Sequence, residues 1–296
     1  MAEQLLGKTT SFEQVSNAAD FIRNRLKIKD NAPAARVSVI LGSGLGAFAQ
    51  EVMEKSKSQL IPYHEIPHFP TSSIEGHNSC LVYGFIGETP VLLMQGRVHR
   101  YEGYSANKVA FPICVLQALG VKSVILTNAA GAIGDHLDVG DLMLIKDHIN
   151  MTGDNPLLGP NDLRMGPRFF DMSEAYSKSL RELAEKVATS QKAPLKEGIY
   201  VGVLGPCYET PAEIRMFKTM GADAVGMSTV LETISARHGG MDVLGISCLT
   251  NKAAGLSQGS LNHQEVTEIA TKVSKRFSNL LFGIIPEIAH RYEHQK

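Results

Sequence analysis

The 296 residues carry 29 Lys+Arg against 30 Asp+Glu, a formal net charge of −1, with 44% hydrophobic and 20% charged residues. This is an ordinary globular balance with ample material for a core, and it leaves no general electrostatic footprint for nucleic acid or an anionic membrane. No apolar run reaches the length of a membrane span, the polar start MAEQLLGKTTSFEQ has no secretory core, and the four cysteines show no ligand spacing, so the expectation is a cytoplasmic protein with free thiols.

In chain order, Ser11-Phe-Glu-Gln14 reads as a capping box opening a helix, with Phe12, Val15, Ala18, Ala19, Ile22 and Leu26 at helical spacing. Val37–Leu41 is a buried-strand run that flows into Gly42-Ser43-Gly44-Leu45-Gly46. Glycines let the backbone approach a ligand and Ser43 can donate a hydroxyl, but alone such a loop is more often a tight strand-to-helix turn. It matches neither the dinucleotide fingerprint nor a Walker loop, which excludes a Rossmann dehydrogenase. Residues 60–79 form a proline-broken loop, in which His77 of Glu75-Gly76-His77 is the histidine worth holding. Cys80–Ile86 and Pro90–Gln95 read as a hairpin about Gly87. The second strand ends in Gly96-Arg97-Val98-His99, where alternation points Arg97 and His99 the same way. A guanidinium fork beside a second donor suits an oxyanion, although a surface charge pair has the same spelling.

Ser105–Leu119 reads as an amphipathic helix, Ser123–Leu126 as a short strand followed by the small residues Thr127-Asn128-Ala129-Ala130-Gly131-Ala132, and Leu142–Ile145 as another strand. Thr152–Pro167 is rich in Gly, Pro, Asn and Asp and reads as a long loop. Ser173–Ser190 reads as a solvated helix, and a last helix runs from near Asn262 to about Arg291. There is no repeat and no convincing linker, so one domain is expected over 1–296.

The stretch from Val201 to Gly255 organises the rest. Three apolar runs, Ile199–Leu204, Ala222–Met227 and Val243–Leu249, are separated by helical patterns over Pro211–Met220 and Val230–His238. Strand–helix alternation implies a largely parallel α/β sheet, and such sheets bind ligands beyond the carboxyl ends of their strands. Glu209, Ser228 and Asn251 follow three different strands and are therefore expected in one pocket. The bland alternatives are that Glu209 caps a helix, that Ser228 or Thr229 is a plain N-cap, and that Asn251 sits in a turn. Cys207 lies in the same pocket loop as a reachable thiol.

The set GSGLG, EGH, GRVHRYEGY, TNAAGA, DHIN, GPCYET, ADAVGMSTVLE and TNKAAG resembles the purine nucleoside phosphorylases of the trimeric, low-molecular-mass class, from about Val37 to the C-terminal helix. The resemblance implies a single-domain α/β fold: a mixed, mostly parallel β-sheet with a distorted barrel, flanked by helices. It implies a homotrimer, no metal, no organic cofactor, and phosphate as co-substrate with a purine (2′-deoxy)ribonucleoside. By motif, Ser43, His77, Arg97, His99, the backbone of Ala129, and Ser228 would bind phosphate. Tyr101, Met227 and His263 would face the ribose, and Ala130, Gly131, Tyr208, Glu209, Gly226 and Asn251 the base. Asn251, Glu209 and His99 would be the catalytic groups. Met165 stands where the family often has an aromatic residue that closes the neighbouring subunit's sugar site. A carboxylate facing N1–H predicts inosine and guanosine over adenosine. The competing readings are a xanthosine or methylthioadenosine phosphorylase of the same fold, and a silent nucleoside-binding protein.

Overall fold

A computed structural model describes residues 10–29, 32–72, 78–257 and 263–293, the side chains of 263–266 excepted. Nine strands form one mixed sheet: β1 (Val37–Leu41), β2 (Gln59–Pro62), β3 (Cys80–Ile86), β4 (Thr89–Gln95), β5 (Ser123–Ala132), β6 (Leu142–Met151), β7 (Lys196–Val203), β8 (Ala224–Gly226) and β9 (Asp242–Lys252). Among the described residues seven α-helices flank it: α1 (Phe12–Leu26), α2 (Ala47–Lys55), α3 (Ala106–Ala118), α4 (Lys178–Ser190), α5 (Pro211–Thr219), α6 (Val230–His238) and α7 (His263–His290). The strand order is β2-β3-β4-β1-β5-β8-β7-β6-β9, and β9 returns to pair with β5. The last five strands therefore close into a distorted barrel, continuous with an open sheet through β5.

Strand length explains this shape. The first half of β5, Ser123–Leu126, pairs with β1, while its end, Gly131 and Ala132, pairs antiparallel with β8. β9 runs parallel to the whole of β5 and antiparallel to β6. A strand that serves an open sheet at one end and a barrel at the other must twist strongly, and small residues at its barrel end permit that. Two apolar clusters fill the two faces of the open sheet. One is built with α1, α3 and α6, the other with α2, α4 and α7. Both cores bury β-branched and leucine side chains almost completely.

The capping box at Ser11 is present in both directions, with Ser11 Oγ accepting from the Gln14 amide and Gln14 Oε1 from the Ser11 amide. Other expectations are corrected. The small residues Thr127–Ala132 are strand, because β8 and β9 pair with them. β2 lies in the proline-broken segment and pairs antiparallel with β3. The helix read from Ser173 begins at Lys178, because Asp171 Oδ1 accepts from both the amide and the hydroxyl of Ser173 and closes a turn there. The helix read as amphipathic, α3, is apolar on most of its surface, since it packs between α1 and α6.

Candidate active site

One cleft opens at the carboxyl ends of β1, β5, β7 and β9. It is lined by Ser43, Arg97, His99, Tyr101, Ala129, Ala130, Gly131, Tyr208, Glu209, Gly226, Met227, Ser228 and Asn251, together with Asn128, Val225 and Thr250. Residues spread over some two hundred positions of the sequence thus share one surface. His77 lies outside the described residues. His263 begins α7, and its side chain lies outside the description as well.

The loop after β1 is pinned to β5. The Gly42 amide donates to Thr127 Oγ1 at 3.1 Å, and that hydroxyl donates to the Ile40 carbonyl at 2.8 Å. A Cβ on Gly42 would stand 2.7 Å from the Thr127 carbonyl oxygen, so only glycine lets the Ser43 loop lie this close to β5. Arg97 is buried, its Nη2 donating to that same Thr127 carbonyl at 2.8 Å and its Nη1 to Glu232 Oε1 at 3.2 Å.

His99 is stacked on Tyr101, with ring centroids 4.7 Å apart and 9° between planes. Its Nδ1 lies 3.0 Å from Glu102 Oε1, which also accepts from the His99 amide at 2.8 Å. An ionised carboxylate accepts only, so this contact puts the imidazole proton on Nδ1. Burial lowers the His99 pKa, and nearby Arg97 adds to that, outweighing the Glu102 hydrogen bond that pulls the other way. The ring is therefore neutral at neutral pH. Burial likewise raises Tyr101 to about 12 and keeps it a phenol donor.

The start of α6 supplies Ser228 and Thr229. Thr229 has φ 73° and ψ −45°, a strained conformation for a β-branched residue. Its hydroxyl accepts from Asn128 Nδ2 at 2.9 Å and lies 3.2 Å from Ser228 Oγ. The helix makes no side-chain cap bond, so Ser228 and Thr229 are not a plain N-cap. The strained turn instead brings the Ser228 side of the helix start to the cleft.

The other chemistry comes from the loop after β7 and the end of β9. Thr210, not Glu209, caps α5, in a reciprocal box with Glu213. That leaves Glu209 in the cleft, where burial raises its pKa above the usual carboxylate value. Asn251 lies inside β9, not in a turn. The β5–β9 register slips there: Ala130 faces Leu249 and Gly131 faces Asn251, which leaves Thr250 as the extra residue. Bulges re-aim side chains next to active sites. Thr250 Oγ1 donates to Asn251 Oδ1 at 3.0 Å and Asn251 Nδ2 donates to the Lys252 carbonyl at 3.0 Å, so the amide is oriented from both ends. Gly226 makes room behind the cleft, because a Cβ there would meet the Tyr200 hydroxyl at 2.4 Å.

Sequence reasoning passed over Asn128, Thr250, Glu102 and Glu232. Asn128 and Thr250 adjoin named residues. Glu102, three positions after His99, carried a local signal, while Glu232 carried none. Met165 packs against its own chain's core and lines a separate cavity with Asn107, Cys114, Asn161 and His238. No group of three His, Cys, Asp or Glu that could hold a metal occurs among the described residues, and no helix among them is long and apolar enough to cross a membrane.

Taken together, the cleft offers an arginine and hydroxyls suited to an oxyanion, and a neutral histidine whose bare Nε2 can accept from that anion's own hydroxyl. Beside these stand a half-buried carboxylate and an oriented carboxamide suited to the edge of a heterocycle. Residues 36–286 match the phosphorylase superfamily. The chain is 51% identical over 275 residues to purine nucleoside phosphorylase 1 of Geobacillus stearothermophilus, covering 93% of this chain and 97% of that one. It is 44% identical over 265 residues to the purine nucleoside phosphorylase of Bos taurus, covering 86% and 91%. Among solved structures, the Schistosoma mansoni purine nucleoside phosphorylase in complex with inosine superposes with a TM-score of 0.86 at 38% identity, covering 94% of this chain and 97% of that one.

Proposed function

The chain belongs to the purine nucleoside phosphorylases, glycosyltransferases of the phosphorylase superfamily, and from that premise we propose that its cleft runs reversible phosphorolysis of 6-oxopurine (2′-deoxy)ribonucleosides for purine salvage. A phosphate oxygen forms the bond to C1′ while the C1′–N9 bond breaks, and the electron pair of that bond leaves with the purine. The purine anion takes up the proton that the phosphate gives up, so the products are the free base and (deoxy)ribose 1-phosphate.

Phosphate is a weak nucleophile, so C–N cleavage runs ahead of attack and positive charge gathers on the sugar. A dianion held by Arg97, Ser43, Ser228 and the Ala129 amide stabilises that charge and is already placed to attack, while the phosphate's own O–H donates to the bare Nε2 of His99. His77 completes the phosphate set. Tyr101, Met227 and His263 face the ribose, and Ala130, Gly131, Tyr208 and Gly226 frame the purine. Asn251 holds N7 and the 6-oxygen as negative charge develops on the leaving base. Glu209 accepts from N1–H. The reaction uses no metal and no organic cofactor.

The observation that carries the 6-oxopurine preference is the presence in one cleft of half-buried Glu209 and an Asn251 carboxamide oriented by Thr250. Adenine presents a bare N1 acceptor to Glu209, and two opposed acceptors are costly where the base covers them from water. A related Schistosoma mansoni enzyme has been solved with adenosine, so the preference is expected in turnover more than in access. The test is phosphate-dependent release of base from inosine and from adenosine. The expected kcat/KM ratio is about 100 or more in favour of inosine. Equal values would remove the specificity argument, and release without phosphate would point to a hydrolase.

A further inference from the structure

We propose that Glu232 is a positioning residue, which holds the Arg97 guanidinium in the orientation that receives phosphate. The inference rests on the phosphorolysis reading above. Glu232 and Arg97 stand 135 positions apart, and their side chains are 3% and 6% exposed. Burying a carboxylate is costly, and replacing a buried ion pair by apolar residues is often neutral for stability. Its placement is stranger still beside an anion site, where its charge opposes that of the phosphate. Glu232 Oε2 has no hydrogen-bond partner among the described residues, so the carboxylate is not fully compensated. A residue that is costly to bury and electrostatically adverse needs another reason to be there.

The geometry supplies one. Arg97 Nη1 is held by Glu232 on α6 and Nη2 by the Thr127 carbonyl on β5, so two elements fix the plane of the fork. A guanidinium on a long side chain otherwise has many rotamers to lose on binding an oxyanion. α6 also delivers Ser228 at its start, and the acid in its first turn suits the helix dipole. One short helix thus sets a direct phosphate ligand and the orientation of a second.

The test compares Glu232→Gln with Glu232→Asp. The amide is isosteric and keeps an acceptor for Nη1, whereas Asp keeps the charge but draws the acceptor back by one methylene. Positioning predicts that Gln leaves the phosphate KM within about threefold of wild type and that Asp raises it about tenfold, with the nucleoside KM unchanged in both. The reverse order would assign the role to charge and overturn the proposal. So would no change in either variant, or parallel changes in both KM values. A crystal structure of the wild-type protein with phosphate gives a test independent of variant folding. Arg97 Nη1 is expected to remain within hydrogen-bond distance of Glu232, and a guanidinium swung away from it would overturn the idea. A wild-type enzyme indifferent to phosphate would sink the phosphorolysis reading and this proposal with it. A phosphate-dependent enzyme with indifferent variants would sink the role of Glu232 alone.

Discussion

At the scale of single residues, the cleft works by setting protonation states. Burial raises the Glu209 pKa from 4.5, so the folded protein binds this proton more tightly than the unfolded chain does. Glu209 therefore favours the folded state below 4.5, and that contribution is lost as pH rises through its higher folded value. Binding runs the other way, because the ionised form accepts from N1–H more strongly than the neutral acid does. The inosine KM is thus expected to rise as pH falls from neutrality, at a higher pH than a solvent-exposed carboxylate would allow, and Glu209→Gln should flatten that dependence. A Gln variant with an unchanged profile would remove Glu209 from the base site. His99 shifts in the opposite sense, since burial keeps its ring neutral and Glu102 fixes the proton on Nδ1. Burial thus moves the two pKa values toward each other and favours the uncharged form of both groups, His99 as the free imidazole and Glu209 as a more readily protonated carboxyl.

At the scale of elements, legibility followed how local the cause was. Cys80–Ile86 and Val230–His238 match their expected bounds, since a two-residue turn at Gly87 marks the first and a single run of apolar and polar residues the second. The Ser11 box was legible from four consecutive residues. Thr127–Ala132 was not, because alanine and glycine have little intrinsic strand preference and become strand only through β8 and β9. The same holds for Asn251, which the sequence places after a strand and the β5–β9 bulge places inside one. Thirteen of the sixteen cleft residues were legible because their motifs recur together in a known family. Their supports were less so. Glu232 reads as an ordinary first-turn acid until the fold brings Arg97 against it.

At the scale of the whole molecule, the long loop between β6 and α4 presents Leu158, Leu163 and Phe169 at 54%, 80% and 88% exposure. Such apolar side chains gathered in one segment mark an interaction surface. With the family resemblance, they support the proposal of a homotrimer. Sedimentation should give three times the chain mass of 32.1 kDa. A monomer with full activity would dismiss the assembly.

The central claim is that this cleft divides its work between an attacking phosphate and a departing purine. Steady-state kinetics of Arg97→Ala and Asn251→Ala, with phosphate and inosine each varied, test it most directly. Losing a charged hydrogen-bonding partner should raise the phosphate KM of Arg97→Ala about tenfold or more. Losing a donor to developing charge should lower the kcat of Asn251→Ala about 100-fold while leaving the phosphate KM nearly unchanged. If the two variants lose the same parameter by the same factor, the cleft is not divided in this way and the account is wrong.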